Sequence, residues 1–119
     1  MRGLVDAKVI DVHAHVVLAE TMGSAGAHGP ELTALADGTP RFRVGEYVLD
    51  GVRYEGSPFM DVDLRVKRLD DAGIDVQVLS PNPLTYFHHI EPSAAARFCQ
   101  RHNAAPELHL SFLDSTSAL

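Results

Sequence analysis

Two histidines, His13 and His15, lie one residue apart in the apolar run IDVHAHV, residues 10–16. Successive side chains of a β-strand point to opposite faces, so both imidazoles would project from one face, with Asp11 on that face too. Two neutral imidazoles so close together are unfavourable in a dry core, because each ring needs a polar partner. They are well suited to binding one metal ion, since zinc accepts imidazole nitrogens. The alternative is a pair of partly exposed histidines at the end of an edge strand.

Arg53 and the adjacent His88 and His89 are the other residues whose types could do chemistry. A guanidinium can bind a carboxylate through two parallel hydrogen bonds, although a solvated hairpin arginine is the alternative interpretation. His88 and His89 follow a predicted strand, where they either line a cavity or are simply exposed. The remaining candidates are assigned to the surface or to helix packing: His28, Cys99, His102 and His109.

The histidine pair is expected to end a first strand, from about Lys8 to His15. The next segment, residues 18–40, is rich in Gly, Ala and small polar residues. It predicts a long loop with a short helical turn around residues 31–36, and loops of this length are uncommon unless they are functional. The Asp50-Gly51 pair then lies between two β-prone runs, which predicts a hairpin with a type I′ turn at that pair.

Further along the chain, local signals predict helices alternating with strands. Asp61 suits the N-cap of a first helix that Gly73 ends. The run IDVQVLS, residues 74–80, predicts a second strand, and Pro92 suits the first turn of a second helix. The run ELHLSFL, residues 107–113, predicts a third strand. Strands that alternate with helices favour a parallel sheet with helices packed on it.

The composition excludes several functional classes. The chain has 119 residues, a net charge of −6 and no Lys- or Arg-rich run, which argues against binding nucleic acid or an anionic membrane. Charged residues interrupt the first fifteen positions, and no segment approaches the roughly 18 apolar residues of a membrane span. A single cysteine rules out an internal disulfide framework. These features predict a cytoplasmic protein with a single domain over residues 1–119.

Two stretches, IDVHAHVV and VRYEGSPFMDVDLRVKRLDDAGIDVQVLS, together resemble the opening third of the amidohydrolase superfamily. The similarity covers residues from about 8 to 103 and is strongest to the branch that includes aminocarboxymuconate-semialdehyde decarboxylase and related carboxylate lyases. It implies the opening βαβαβ portion of a (β/α)₈ TIM-type barrel, with a β-hairpin insertion after the first strand. It further implies a metal-dependent hydrolase or non-oxidative decarboxylase acting on a small carboxylated substrate.

The same resemblance assigns roles to individual residues. His13 and His15 would bind a divalent metal, most commonly zinc, and Arg53 would bind the substrate carboxylate. Because the loops after the strands form the catalytic face of such barrels, His89 is expected to line the substrate cavity. Asp11 would support the site without binding the metal. The expected partner is thus a small molecule, with neither nucleic acid nor membrane involved and with homo-oligomerisation left open.

The chain also departs from this family. The resemblance places a third histidine ligand on a middle strand and an aspartate on the last strand, both beyond Leu119, and a full barrel typically needs about 250 residues. We therefore expect an incomplete barrel domain that is inactive on its own. The alternative is a non-catalytic α/β module that binds metal weakly, or that assembles with a partner chain supplying the missing strands.

Overall fold

The His-x-His run forms the first strand of a mixed α/β structure. The computed structural model describes residues 6–105. Within that range the regular elements are β1 (Ile10–Val16), β2 (Glu31–Ala34), β3 (Pro40–Val44), β4 (Tyr47–Asp50), α1 (Val62–Ala72), β5 (Val76–Pro81) and α2 (Pro92–Asn103). Short 3₁₀ turns occur at Ala19–Thr21, Gly26–His28 and Pro83–Thr85.

β1 and β5 form a two-stranded parallel sheet, and α1 lies between them in the chain. Ile10 pairs with Val76 at the start of the sheet and Val16 pairs with Pro81 at its end, so the two strands finish together. The carboxyl ends of parallel strands are where α/β proteins place their functional groups. His13 and His15 therefore lie close to the end of the sheet that a site would occupy.

The hairpin is present, but its predicted turn is wrong by several residues. Val44 pairs with Tyr47, so the chain reverses at Gly45-Glu46, where Gly45 has a φ of 59° that glycine adopts without strain. Asp50 remains in β4, where its carboxylate accepts two hydrogen bonds from Arg41, at 2.7 and 2.9 Å. This cross-strand ion pair extends the strand to the position where the Asp-Gly signal predicted a turn.

The prediction of a helical turn at residues 31–36 is also wrong, because Glu31–Ala34 forms β2 and adds an antiparallel third strand to the hairpin. Leu32 pairs with the fully buried Phe42, and Glu31 forms an ion pair with Arg43 at 2.8 Å. These cross-strand contacts outweigh local helix propensity. The connection to β3 is a turn in which Asp37 accepts a hydrogen bond from the Thr39 amide.

The prediction for α1 is confirmed at both ends. The Asp61 side chain accepts a hydrogen bond from the Leu64 amide, and Gly73 adopts the left-handed conformation with a φ of 72°. The Ile74 amide then donates to the Leu69 carbonyl, which satisfies a carbonyl left open by the end of the helix. The two ends of α1 are thus set by its own sequence.

α2 begins at Pro92, as predicted, and buries Ala94, Phe98 and His102 along one face. Cys99 is exposed, so its assignment to helix packing is wrong. The third predicted strand, residues 107–113, lies outside the described residues.

The main core lies between the antiparallel sheet, α2 and the loops that lead into them. Its buried residues are Val17, Ala25, Phe42, Val44, Tyr54, Phe87 and Phe98. A smaller cluster of Val16, Leu18 and Ala105 joins the end of β1 to the end of α2. Residues 6–105 form no closed barrel. Neither of their two helices has the length and apolar character needed to cross a bilayer.

Candidate metal site

The two imidazoles of β1 meet at their Nε2 atoms. The distance between His13 Nε2 and His15 Nε2 is 3.2 Å, and the rings are nearly perpendicular at 87°. His13 is exposed, whereas His15 is partly buried. The expectation that both rings lie on one side of the strand with their nitrogens close together is therefore confirmed, and metal binding stays a prediction.

The separation suits a shared metal ion. With zinc–nitrogen bonds of roughly 2.0–2.1 Å, a nitrogen–nitrogen distance of 3.2 Å gives an angle at the metal of about 100°, close to the tetrahedral value. Without an ion, the same distance is a hydrogen bond between the rings. The separation of the two nitrogens is thus compatible with a shared metal ion.

Hydrogen bonds fix the tautomer of His15. Its Nδ1 lies 3.0 Å from the Pro81 carbonyl oxygen, which can only accept, and 2.9 Å from the Ser80 hydroxyl oxygen. The Ser80 hydroxyl itself donates to the Ala14 carbonyl at 3.1 Å, so its oxygen is free to accept from the ring. Nδ1 therefore carries the proton, and the lone pair of Nε2 points towards His13. This is the tautomer that a metal ligand bonded through Nε2 requires.

Asp11 does not share the face of the histidines. The pairing of β1 with β5 shifts by one residue between Asp11 and Ala14, so that Asp11 pairs with Gln77 while His15 pairs with Ser80. Positions 77 and 80 are three apart in a strand and therefore point to opposite faces. Side-chain hydrogen bonds follow the same division, since Gln77 donates to Asp11 at 2.9 Å and Ser80 contacts His15.

On the face opposite the histidines, Asp11 belongs to a network that begins at α1. The buried guanidinium of Arg65 donates to the Gln77 side-chain oxygen at 2.8 Å and to the His15 carbonyl at 2.7 Å. The hydrogen bond from Gln77, and then that from the His13 amide, hold the pKa of Asp11 below its ordinary value. Burial lowers the pKa of Arg65, and the charge of Asp11 partly opposes that effect.

Sequence reasoning missed this network, although it carries a readable signal. Val62 and Leu69 belong to the apolar stripe of α1, and Arg65 lies three residues after the first and four before the second. Arg65 therefore occupies a position where an amphipathic helix normally buries an apolar side chain. A charged residue there predicts a specific partner in the core, because an unpaired buried cation is costly.

Arg53 is not on the hairpin, since it follows the end of β4. Its exposed side chain lines a groove of about 440 Å³ together with residues of β2, and neither histidine of the pair contributes to that groove. Its neighbour Tyr54 is buried, and the Tyr54 hydroxyl accepts a hydrogen bond from Asn82 at 3.3 Å, just past the end of β5. The segment that carries Arg53 is thus attached at the same end of the parallel sheet as His15.

His88 and His89 lie in the loop after β5, as predicted, and both are exposed. The loop is anchored by Phe87, which packs its buried ring on Phe98 and has a φ of 53°, a strained value for a residue with a side chain. His89 contacts Phe87, and no contact joins it to His13 within the part of the chain that the structure describes.

The other histidines have separate surroundings. His28 pairs with Glu91 at 3.3 Å, and His102 is buried, with no hydrogen-bond partner at Nε2 among the described residues. His109 lies outside the described residues. Across residues 6–105 no cluster of three or more His, Cys, Asp or Glu side chains could hold a metal ion, and His13 and His15 form a pair with no third such side chain beside them. Comparison with protein-family models and with curated proteins finds no match to this chain.

Proposed function

We propose that His13 and His15 form part of a divalent-metal site in a metal-dependent hydrolase or non-oxidative decarboxylase. The observation that carries this proposal is the 3.2 Å separation of the two Nε2 atoms, with the tautomer of His15 fixed by Pro81 and Ser80. Zinc is the ion we expect, because imidazole pairs at this spacing suit its tetrahedral preference. The resemblance to the opening of the amidohydrolase barrel supplies the reaction class.

The proposed division of labour follows from where each residue lies. His15 offers an Nε2 lone pair that is already oriented. The exposed His13 ring would offer a second Nε2 lone pair, with its own proton on Nδ1 when an ion is bound. A metal held by these two residues would supply Lewis acidity, or would lower the pKa of a bound water towards roughly 7. The remaining ligands would come from chain beyond residue 119 or from a partner chain, which would complete the (β/α)₈ barrel that the resemblance implies.

Arg53 is proposed to bind the substrate carboxylate, and His89 is proposed to line the substrate cavity. The guanidinium of Arg53 is exposed and has no hydrogen-bond or ion-pair partner within residues 6–105, which leaves its planar fork open to a bidentate anion. The hydrogen bond between Tyr54 and Asn82 supports this role, since it ties the Arg53 segment to the end of β5. The substrate class that we propose, a small carboxylate, comes from the resemblance, and the open guanidinium of Arg53 is compatible with it.

The proposal is tested by equilibrium dialysis of the 119-residue chain against zinc, with bound metal measured by elemental analysis. We expect the unaltered protein to bind at most one zinc per chain, and weakly, because two imidazoles are fewer than the three protein ligands usual at a catalytic zinc site. His13→Ala and His15→Ala should each lose this binding. His88→Ala is the matched control, because it removes an exposed imidazole of the loop after β5. An equal loss from the control would mean that zinc binds exposed histidines without selectivity, and the proposal would fail.

A further inference from the structure

Arg65 places a cation in the interior where α1 packs against the parallel sheet. Only 9% of the residue is exposed, and both of its terminal nitrogens donate hydrogen bonds to the strands. Replacing a whole set of buried, paired polar groups by apolar side chains is often neutral or stabilising, so stability is a weak explanation for an arginine at this position. What distinguishes Arg65 is the identity of its acceptors.

One acceptor is the main-chain carbonyl of His15, at 2.7 Å from Nη2. The other is the side-chain oxygen of Gln77, at 2.8 Å from Nη1. Gln77 is in turn hydrogen-bonded to Asp11, because its amide nitrogen donates to Asp11 Oδ2 at 2.9 Å. The other carboxylate oxygen, Asp11 Oδ1, accepts from the His13 main-chain amide at 3.0 Å. One guanidinium thus reaches the backbone of both histidines.

The register shift explains why the backbone at His13 needs support. Val12 and His13 together oppose Val78, so the regular ladder between β1 and β5 is interrupted at the first histidine. A main-chain amide without its ladder acceptor must find another partner or pay for desolvation. Asp11 supplies that acceptor, and Gln77 and Arg65 hold Asp11 in place.

We propose that Arg65 is a positioning residue for the metal site, acting through Gln77 and Asp11 on His13 and directly on His15. The inference deepens the proposed function and rests on it, because positioning has meaning only if the two imidazoles bind an ion. Arg65 touches neither ring, so its effect reaches the ligands through their main chain. The planar fork is essential, since the two acceptors require two separate donors held at a fixed angle.

The hydrogen-bonded chain from Arg65 through Gln77 and Asp11 to the His13 amide is called the relay below. Two substitutions break it at different points. Arg65→Lys keeps the charge but offers a single ammonium in place of the fork. Gln77→Glu keeps an acceptor for Arg65, but a carboxylate cannot donate to Asp11. Since loss of groups that orient metal ligands typically costs about 10–100-fold in affinity, we expect each variant to weaken zinc binding by a factor in that range.

Zinc affinity and the hydrogen-exchange rate of the His13 amide are the two readouts. Both variants should speed exchange at His13, because Asp11 loses its fixed orientation. Arg68→Lys is the matched control for chemistry, as it makes the same change on the exposed side of α1. Leu69→Val is the control for stability, as it weakens the packing of the buried Leu69 without touching the relay.

The outcomes separate this inference from the proposed function. Weakened zinc binding in Arg65→Lys and Gln77→Glu, at unchanged affinity in both controls, supports it. If the unaltered chain retains zinc through His13 and His15 but both relay variants bind equally well, the relay is overturned and the metal site stands. If Leu69→Val weakens zinc binding as much as Arg65→Lys at equal loss of thermal stability, Arg65 acts only through folding. If the unaltered chain binds no zinc, the relay and the proposed function fall together.

Discussion

The two imidazoles of the candidate site are held with different firmness. His15 is partly buried, and its Nδ1 contacts both Ser80 and Pro81. The His13 ring is exposed and, within residues 6–105, contacts the His15 ring alone. A ligand whose ring is already oriented loses less entropy when it binds an ion. We infer that His15 is the primary ligand of the pair and that His13 closes onto the ion.

Ser80→Ala tests how the His15 ring is held. The variant removes one acceptor from Nδ1 but leaves the Pro81 carbonyl, so zinc affinity should fall towards the lower end of the about 10–100-fold range for groups that orient ligands. Zinc titration of Ser80→Ala against Ser93→Ala, an exposed serine of α2, provides the comparison. Equal affinities in the two variants would show that Ser80 does not orient the ring.

Arg53 should affect a carboxylate and not the metal. We expect Arg53→Ala to leave zinc affinity unchanged and to weaken binding of a small carboxylate such as benzoate to the zinc-loaded protein. Arg53→Lys should recover only part of that binding, because an ammonium cannot make the bidentate contact. Calorimetric titration separates the two ligands, and equal loss of both, or loss of neither, would rule out the carboxylate role.

At the scale of elements, α1 connects the relay to the strands, so its stability matters for the site. Asp61→Ala removes the side chain that accepts from the Leu64 amide, and N-cap losses of this kind cost about 0.5–2 kcal/mol in the free energy of unfolding. Urea denaturation of this variant measures that cost. Asp63→Ala removes a carboxylate two residues later, in the first turn of α1 and without this cap bond, and is expected to lower the free energy of unfolding by less. The reverse order would contradict the assignment of Asp61 as the cap.

The elements that sequence predicts well are those set by local chemistry. Asp61, Gly73 and Pro92 mark helix ends through their own backbone or side-chain properties, and the structure confirms all three. β2 escaped prediction because its pairing with β3 depends on contacts with residues around position 42, which local propensity does not contain. The hairpin turn was misplaced because the ion pair of Arg41 and Asp50 keeps the Asp-Gly signal inside a strand.

The candidate site divides in the same way. His13 and His15 lie on one side of β1, as period-two alternation over three residues predicts. The face predicted for Asp11 is wrong because the register shifts directly after it, and a shift is a property of two strands together. Gln77 and Ser80 owe their roles to the same pairing, so one strand's sequence cannot reveal them.

At the scale of the whole molecule, His102 should make stability depend on pH. Burial holds the pKa of this imidazole below its ordinary value of 6.5. The unfolded chain then binds more protons than the folded protein as pH falls below 6.5, so stability is complete above that value and is lost towards acid. Thermal melting between about pH 5 and 7 should show a weaker pH dependence in His102→Leu than in the unaltered protein. Identical pH profiles would contradict the assignment.

The parallel sheet leaves apolar side chains in solvent, with Val12 76% and Val78 52% exposed. Exposed apolar strands pair readily with other chains, so we expect concentration-dependent self-association. Val12→Lys and Val78→Lys should reduce it, as measured by light scattering during size-exclusion chromatography. Tyr47→Lys, on the antiparallel sheet, is the control for added charge. A similar reduction in the control would mean that net charge, and not this surface, governs association.

The extra residue of β1 also bears on insertions and deletions in this strand. A chain without Val12 would pair its remaining residues with β5 in unbroken register, with the acid still facing α1 and both imidazoles still on the opposite side. Its sequence would read Asp-His-x-His in place of Asp-x-His-x-His. A chain with one residue between the aspartate and the first histidine and a chain with none would therefore place these three side chains alike. A sequence motif that fixes the number of residues between the aspartate and the first histidine would match only one of the two chains.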